Sequence, residues 1–106
     1  MIAPSVANEE APAGFEWDPA KARRNDAIRG RPTFRDATTA FVDINRREAV
    51  DERNSTESEV RWRLVGLTAG GQLVTVAYAY RGNRIRIISA RPATRPETKS
   101  YETKSR

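Results

Sequence analysis

Three stretches in the second half of the chain alternate apolar and polar residues with a period of two: residues 60–68, 72–80 and 84–90. They are rich in β-branched and aromatic residues, a composition typical of strands. Two pairs, Gly70-Gly71 and Gly82-Asn83, separate them and favour two-residue hairpin turns, because such turns need the positive φ that glycine readily adopts. The pattern predicts an antiparallel meander of three long strands.

The first helix has recognisable boundaries in the sequence. Residues 15–17 predict a short strand with two aromatic side chains on one face. Asp18 is placed as an N-cap, Pro19 suits the first helical position and Gly30 suits the end. We therefore expect a helix over residues 19–29.

A second helix is predicted to begin after the capping residue Thr33 and to end near Asp43. Its apolar residues Phe34, Ala37 and Phe41 recur at i, i+3 and i+7. They therefore share one face, which can pack on a sheet.

The remaining segments are shorter and more polar. Residues 44–50 predict a short edge strand, and residues 52–59 predict a mobile loop. Thr94 and Glu97 form a Thr-x-x-Glu capping box, which predicts a last short helix up to about Thr103.

Together these elements predict one small α+β domain. It contains the antiparallel meander sheet with short edge strands, two N-terminal helices packed on one face, and a short C-terminal helix. Residues 1–14 are predicted to be a disordered leader, because they lack a periodic apolar pattern. Residues 15–103 form the domain in this prediction, and residues 104–106 form a frayed C-terminus.

Counting pairs across two-residue turns assigns the strand side chains to the two sheet faces. Ala69 then lies opposite Gln72, and Arg81 lies opposite Arg84. One face carries Arg61, Arg63, Tyr78, Tyr80, Ser89 and Arg91. The other carries Trp62, Leu64, Ala77, Ala79, Arg86 and Ile88. Because its alanines are small, we predict that the helices pack on this second face.

Arginine interleaved with tyrosine can bind phosphates and stack unpaired bases, so the first face predicts single-stranded RNA binding. The alternative is that these tyrosines are ordinary sheet aromatics.

Composition and charge narrow the chemistry. The 106 residues include no Cys and no His, which excludes disulfides, thiol chemistry and the usual zinc sites, so we predict no metal and no cofactor. Residues 1–59 carry a net charge of −3 and residues 60–106 a net charge of +8, and 16 of the 19 basic residues are Arg. Arg pairs with phosphate, which favours a nucleic-acid partner, although such charges also keep a small domain in solution. No apolar run or signal sequence is visible, so we expect no membrane association and a cytoplasmic location.

Two motifs resemble a known family. They are Phe-Glu-Trp-Asp-Pro-Ala-Lys at residues 15–21 and Arg-Gly-Asn-Arg-Ile-Arg-Ile-Ile-Ser-Ala-Arg at residues 81–91, followed by Ala-Thr-Arg at residues 93–95 and by Tyr101. In this order they resemble BrnT toxins of type II BrnT/BrnA toxin–antitoxin systems. The resemblance implies a RelE-like fold and RNA cleavage that stops translation. It also implies a BrnA-like antitoxin whose ribbon-helix-helix domain binds the operator DNA.

The resemblance and the face assignment together select the candidate site residues. The expected catalytic residues are Arg61, Arg81, Ser89, Arg91 and Tyr101. The expected RNA-binding residues are Arg63, Tyr78, Tyr80, Arg84, Arg86 and Arg95. Arg91 is the foremost candidate, because it ends an apolar strand just before Pro92 and can point into a cleft.

The chain departs from the family pattern at two places where relatives carry histidine. It has Ile28-Arg29-Gly30 where members usually have Lys-His-Gly, and Asn54-Ser55 where many have a His. Without these groups, another residue must carry the proton, and a nuclease built only on charge stabilisation would be slow. Two alternatives therefore stay open: a weakened relative that binds antitoxin and nucleic acid without cleavage, and a module whose basic sheet face binds an acidic protein.

Overall fold

The computed structural model describes residues 11–105, and the sheet and helices within them belong to one α+β domain, as predicted. Five strands form one mixed sheet in the order β1-β5-β4-β3-β2. The strands are β1 (Phe15–Glu16), β2 (Arg47–Val50), β3 (Trp62–Leu67), β4 (Leu73–Arg81) and β5 (Arg84–Pro92). The helices are α1 (Pro19–Asp26), α2 (Phe34–Thr38) and α3 (Arg95–Ser105).

The predicted leader falls mainly on residues 1–10, which lie outside the described residues. Residues 11–14 belong to the described part, and Ala11 packs against the hydrophobic core. The predicted frayed end at residues 104–106 overlaps α3, which continues to Ser105, and Arg106 lies outside the described residues.

Asp18, Thr33 and Thr94 cap the three helices as the sequence predicted, and the Glu97 N–H donates to Thr94 Oγ1 at 3.3 Å. Asp18 Oδ1 accepts a hydrogen bond from the Ala20 N–H at 3.2 Å, and Thr33 Oγ1 accepts one from the Asp36 N–H at 2.9 Å. The α1 helix nevertheless ends at Asp26 rather than at residue 29. The α2 helix passes into a 3₁₀ turn at Thr39–Val42, so the predicted second helix is only partly α-helical.

The β3–β4 hairpin has a register one residue away from the predicted one. Thr68 and Gln72 close a three-residue loop through a 2.9 Å hydrogen bond from the Thr68 N–H to the Gln72 carbonyl, and Gly71 in that loop has a φ of +91°. As a result Trp62 pairs with Tyr78, where the sequence analysis paired Arg63 with Tyr78. A shift of one residue turns a whole strand over, so the predicted face assignment of β4 is wrong.

A β-bulge in β5 also changes the face assignment. Near the β4–β5 turn the register agrees with the prediction, with Arg81 opposite Arg84 and Tyr78 opposite Ile87. Beyond that point Ala77 pairs with Ser89, which leaves Ile88 as an extra residue. The bulge lets Ile87 face the helices while Ser89 points to the opposite side, and such re-aiming of side chains is what bulges achieve near functional sites.

The hydrophobic core lies between the sheet and the first two helices. Its buried members are Trp17, Ala22, Phe34, Ala37, Ala40, Leu64, Val74, Val76, Tyr78, Ile87 and Ala90. We call this side of the sheet the helix face and the opposite side the open face. Helices therefore cover Val76 and Tyr78, and the prediction that they pack on Ala77 and Ala79 is wrong because of the β4 register.

The segment after β2 is tied to β3 by side-chain hydrogen bonds. It contains a 3₁₀ turn at Glu52–Asn54, where the sequence predicted a mobile loop. Ser55 Oγ donates to the Asp51 carbonyl at 2.8 Å and accepts from the Arg61 N–H at 2.8 Å. These bonds place Asp51, Arg53 and Asn54 beside the sheet.

Close packing around Gly66 gives a first prediction. An added Cβ would lie 3.0 Å from the Ala40 carbonyl oxygen and 3.1 Å from Leu64 Cδ2, so Gly66→Ala should lower the free energy of unfolding by about 1–3 kcal/mol. The matched control is Gly70→Ala, because the nearest atom to its Cβ is Thr68 Oγ1 at 3.9 Å. Urea unfolding monitored by tryptophan fluorescence measures both. Equal stability of the two variants would contradict the packing described here.

Candidate functional site

Two rows of side chains cross the open face from β2 to β5. The register aligns Ala49, Arg63, Ala77 and Ser89 in one row and Arg47, Val65, Thr75 and Arg91 in the next. Neighbouring strands lie about 4.8 Å apart, so each row spans about 14 Å. The rows bring Arg63, Ser89 and Arg91, all selected from the sequence, to one surface.

A cavity of about 300 Å³ opens on this surface. We call it the arginine cavity, and its lining consists of Asp51, Arg53, Asn54, Arg63, Thr75, Ala77, Ser89 and Arg91. Strands β3, β4 and β5 form its floor, and the turn after β2 forms one wall. Three guanidinium groups and one carboxylate give the lining an excess of positive charge, which favours an anionic ligand.

The Arg91 guanidinium is held by the Glu97 carboxylate of α3. Arg91 Nη1 and Nη2 lie 2.9 Å from Glu97 Oε1 and 3.0 Å from Oε2, which makes a bidentate pair. Thr75 Oγ1 and the Thr94 N–H each donate to Glu97 Oε1 at 2.8 Å. The guanidinium of Arg91 is the main cause that lowers the pKa of Glu97 to about 2, so the carboxylate is charged at neutral pH.

A second ionic contact positions Arg63 at the cavity wall. Arg63 Nη2 lies 3.4 Å from Asp51 Oδ1, and Arg63 Nη1 lies 3.7 Å from Glu97 Oε2. Asn54 Nδ2 donates to Asp51 Oδ2 at 2.9 Å. The Asn54 amide first, and then Arg63, hold the pKa of the Asp51 carboxyl below its ordinary value. Arg53, by contrast, has no ion pair within residues 11–105 and is exposed.

The other predicted arginines lie outside the arginine cavity. Arg61 Nε and Arg81 Nε contact opposite oxygens of Glu59, at 3.0 and 3.3 Å, near the β4–β5 hairpin end. Arg86 Nη1 pairs with Glu16 Oε2 at 2.9 Å. Arg84 and Arg95 are exposed, and neither makes an ion pair within the described part of the chain.

The tyrosines selected from the sequence do not line the cavity. Tyr78 is completely buried in the core, where its hydroxyl donates to Glu48 Oε1, so it cannot stack a base on the open face. Tyr80 is 54% exposed but lies on the helix face beside Trp62. Tyr101 donates to Asp43 Oδ2 at 2.7 Å, and this bond raises the pKa of its phenol to about 12. The predicted arginine–tyrosine face therefore does not exist, because the β4 register turns its tyrosines toward the helices.

Sequence reasoning missed four residues that line the cavity: Asp51, Arg53, Asn54 and Thr75. Glu97 was expected as a helix cap and as one of the titratable groups left in a chain without histidine, but its contacts at the open face depend on where α3 packs. Asp51, Arg53 and Asn54 belong to a polar turn with no periodic pattern. The sequence offers one signal for them: they are polar and lie just before the arginine-rich half of the chain.

The cavity chemistry is that of an anion site formed by guanidinium and hydroxyl donors. Arg63, Arg91 and Ser89 converge from neighbouring strands, and two carboxylates fix the two guanidinium groups. No three Asp, Glu, His or Cys side chains in residues 11–105 are grouped as metal ligands would be. None of the helices in the described part of the chain is long and apolar enough to span a membrane.

The fold and this site define a small α+β protein with a guanidinium-lined anion site, a class suited to binding phosphodiesters. Residues 17–97 match the family described as the ribonuclease toxin BrnT of type II toxin–antitoxin systems, and the chain belongs to that family. A comparison with curated proteins found no match. The family assignment confirms the resemblance found in the two sequence motifs.

Proposed function

We propose that the protein is an endoribonuclease toxin that cleaves RNA in the arginine cavity and thereby inhibits translation. The observation that carries this proposal is the convergence of Arg53, Arg63, Arg91 and Ser89 on one cavity of a ribonuclease toxin family member. A cavity of about 300 Å³ admits a phosphodiester with part of its ribose.

The cavity residues suggest how cleavage through the RNA's own 2′-hydroxyl would proceed. The 2′-hydroxyl loses its proton to water and its oxygen attacks the adjacent phosphorus, which creates a phosphorane with additional negative charge; arginine donors stabilise such charge when they are already oriented. The bond from phosphorus to the 5′-oxygen then breaks, which leaves a 2′,3′-cyclic phosphate, and water protonates the leaving 5′-oxygen. Arg91 has five N–H donors, of which contacts to Glu97 and to the Pro92 carbonyl use three, so two N–H groups stay free for the phosphate. The Ser89 hydroxyl makes no intramolecular hydrogen bond in residues 11–105 and is free to donate.

The residues of the arginine cavity are less suited to transferring protons than to stabilising negative charge. The Asp51 carboxylate is the acidic group among the residues lining the cavity, and its lowered pKa makes it a poor base. General acid–base help is worth about 10²- to 10⁴-fold, so we propose slow cleavage by charge stabilisation and orientation, with no requirement for a metal ion. Arg61, Arg81, Arg84, Arg86 and Arg95 then contact RNA away from the scissile phosphate.

The family also implies an antitoxin partner. We infer that this partner is BrnA-like, with a ribbon-helix-helix domain that contacts operator DNA, and that the toxin fold is RelE-like. Co-expression with the neighbouring short reading frame tests the first inference. A neutralising complex supports it, and growth arrest that persists despite co-expression counts against it.

Arg53 provides the sharpest test of RNA cleavage in this cavity. It makes no ion pair in the described residues, so Arg53→Ala removes a phosphate donor without leaving a carboxylate unpaired. Hydrogen bonds to charged groups contribute about 1.5–3 kcal/mol, so cleavage of labelled RNA in EDTA should fall about tenfold or more. The control is Arg24→Ala on α1, which removes the same charge from an exposed position remote from the open face. Equal loss in both variants would indicate that only net charge matters.

One observation favours a second candidate function. The chain has no His, and no tyrosine lines the arginine cavity, so the strongest proton carriers are missing from the site. A protein of this kind could bind RNA and antitoxin without cleaving RNA. Salt-sensitive RNA binding, with no cleavage products and no growth arrest on expression, would support this alternative.

A further inference from the structure

A second cavity lies on the open face next to the arginine cavity. We call it the edge cavity; it has a volume of about 340 Å³ and lies between α3 and the edge strand β2. The two cavities share one lining residue, Arg63, whose guanidinium stands between them. A ligand that extends along the side-chain rows from β5 toward β2 must therefore pass Arg63.

The two cavities differ in charge. In the arginine cavity three arginines face a single lining carboxylate, that of Asp51. In the edge cavity Arg47 and Arg63 face the Glu97 carboxylate, whereas Glu48, which also lines this cavity, directs its carboxylate to the Tyr78 hydroxyl on the helix face. Among the lining side chains, the edge cavity therefore has the smaller excess of positive charge, so a phosphate is better placed in the arginine cavity and a neutral group in the edge cavity.

The two cavities also differ in polarity. Two apolar residues, Ala49 and Val65, line the edge cavity from the open face, against Ala77 alone in the arginine cavity. A small apolar recess with a few polar groups is the usual construction of a site for a small organic ligand, and this volume lies at the low end of such sites. Ala49 and Arg63 are direct neighbours in the register, so the recess begins one strand spacing from the shared arginine.

We infer that the edge cavity is a nucleoside subsite, which receives the nucleoside next to the phosphate bound in the arginine cavity. This inference rests on the proposed function and deepens it, since it assigns substrate selection to the walls formed by Ala49 and Val65. Arg63 contacts the phosphate from the boundary of the two cavities. The base contacts the apolar walls, and its neutral character suits the cavity with the smaller excess of positive charge.

The experiment measures binding of inorganic phosphate and of the four nucleoside 3′-monophosphates to the full chain by calorimetry. We expect at least one nucleotide to bind about tenfold or more tightly than phosphate. Ala49→Leu fills the recess from an exposed position and should remove this gain while leaving the affinity for phosphate unchanged. The matched control, Ala27→Leu, adds the same side chain at an exposed position after α1 and should keep the gain.

The outcomes separate this inference from the proposed function. The nucleoside subsite would be overturned if phosphate bound as tightly as every nucleotide, or if Ala49→Leu kept the higher affinity for a nucleotide. Neither result would contradict phosphate binding in the arginine cavity. No binding of phosphate by the wild-type chain would overturn the anion site itself, and the subsite with it. A gain lost in both Ala49→Leu and Ala27→Leu would also count against the subsite, because the loss would not be local.

Discussion

Arg91→Ala should lower the rate of RNA cleavage by about 10²- to 10³-fold, the loss found when one oriented donor to a developing negative charge is removed. Arg91 is the donor with the most fixed orientation in the cavity. Glu97 holds its two terminal nitrogens at 2.9 and 3.0 Å, and its remaining N–H groups are free for the phosphate. Single-turnover cleavage of labelled RNA at saturating protein measures the chemical step apart from binding.

Loss of folding must be separated from loss of catalysis in this variant. Arg91→Ala leaves the Glu97 side chain, which is only 15% exposed, without its bidentate partner, and this should reduce the free energy of unfolding by about 1–3 kcal/mol. The double variant Arg91→Ala, Glu97→Gln removes the unpaired charge and should recover stability but not activity. Arg24→Ala serves again as the charge control. A folded Arg91→Ala protein that cleaves RNA at the wild-type rate would refute the catalytic role.

Local sequence signals predicted the elements better than they predicted the faces of the sheet. The caps at Asp18, Thr33 and Thr94 and the β4–β5 register near its turn were correct because each depends on a few neighbouring residues. The β3–β4 loop is one residue longer than predicted. Gly70 and Gly71 permit both loop lengths, and burial of Val76 and Tyr78 against the helices decides between them. Tertiary packing therefore sets the length of the loop, and the turn sequence alone does not determine it.

The candidate site was predictable only in part for the same reason. Arg63, Ser89 and Arg91 were selected correctly for the open face, but the selection of Ser89 and Arg91 assumed a regular strand. In the structure they reach that face through the bulge at Ile88, which sends Ile87 to the core at the same time. Glu97 joins the site because α3 folds back over the sheet, a contact between residues that no local pattern connects.

The uneven distribution of charge along the sequence also has a structural consequence, which the net charge of the whole chain does not reveal. Acidic residues of the first half, whose net charge is −3, pair with arginines of the +8 second half: Glu16 with Arg86, Asp51 with Arg63, and Glu59 with Arg61 and Arg81. These pairs are partly exposed, and each contributes little stability. These pairs fix the orientation of the guanidinium groups, so the paired arginines of the second half are hydrogen-bond donors in defined positions.

The largest effect on stability is expected from Glu97→Gln, through its dependence on pH. The ordinary pKa of a glutamate is near 4.5, and contacts with Arg91 above all lower that of Glu97 to about 2 in the folded chain. A lowered pKa contributes stability that is complete above the ordinary value and is lost as pH falls from about 5 toward 2. The shift corresponds to at most about 3 kcal/mol at neutral pH, and solvent screening of this partly exposed pair reduces that contribution.

Urea unfolding of both proteins across pH 2–7 measures this contribution. The wild type should be more stable than Glu97→Gln at pH 7, and the two curves should converge toward pH 2, since Asp43, Asp51 and the other carboxylates are common to both proteins. Glu102→Gln is the control, because Glu102 lies on the exposed side of the same helix. Parallel curves for wild type and Glu97→Gln would show that the bidentate pair contributes no pH-dependent stability. Convergence, together with loss of cleavage in Glu97→Gln at neutral pH, would link one carboxylate both to the docking of α3 and to the orientation of Arg91.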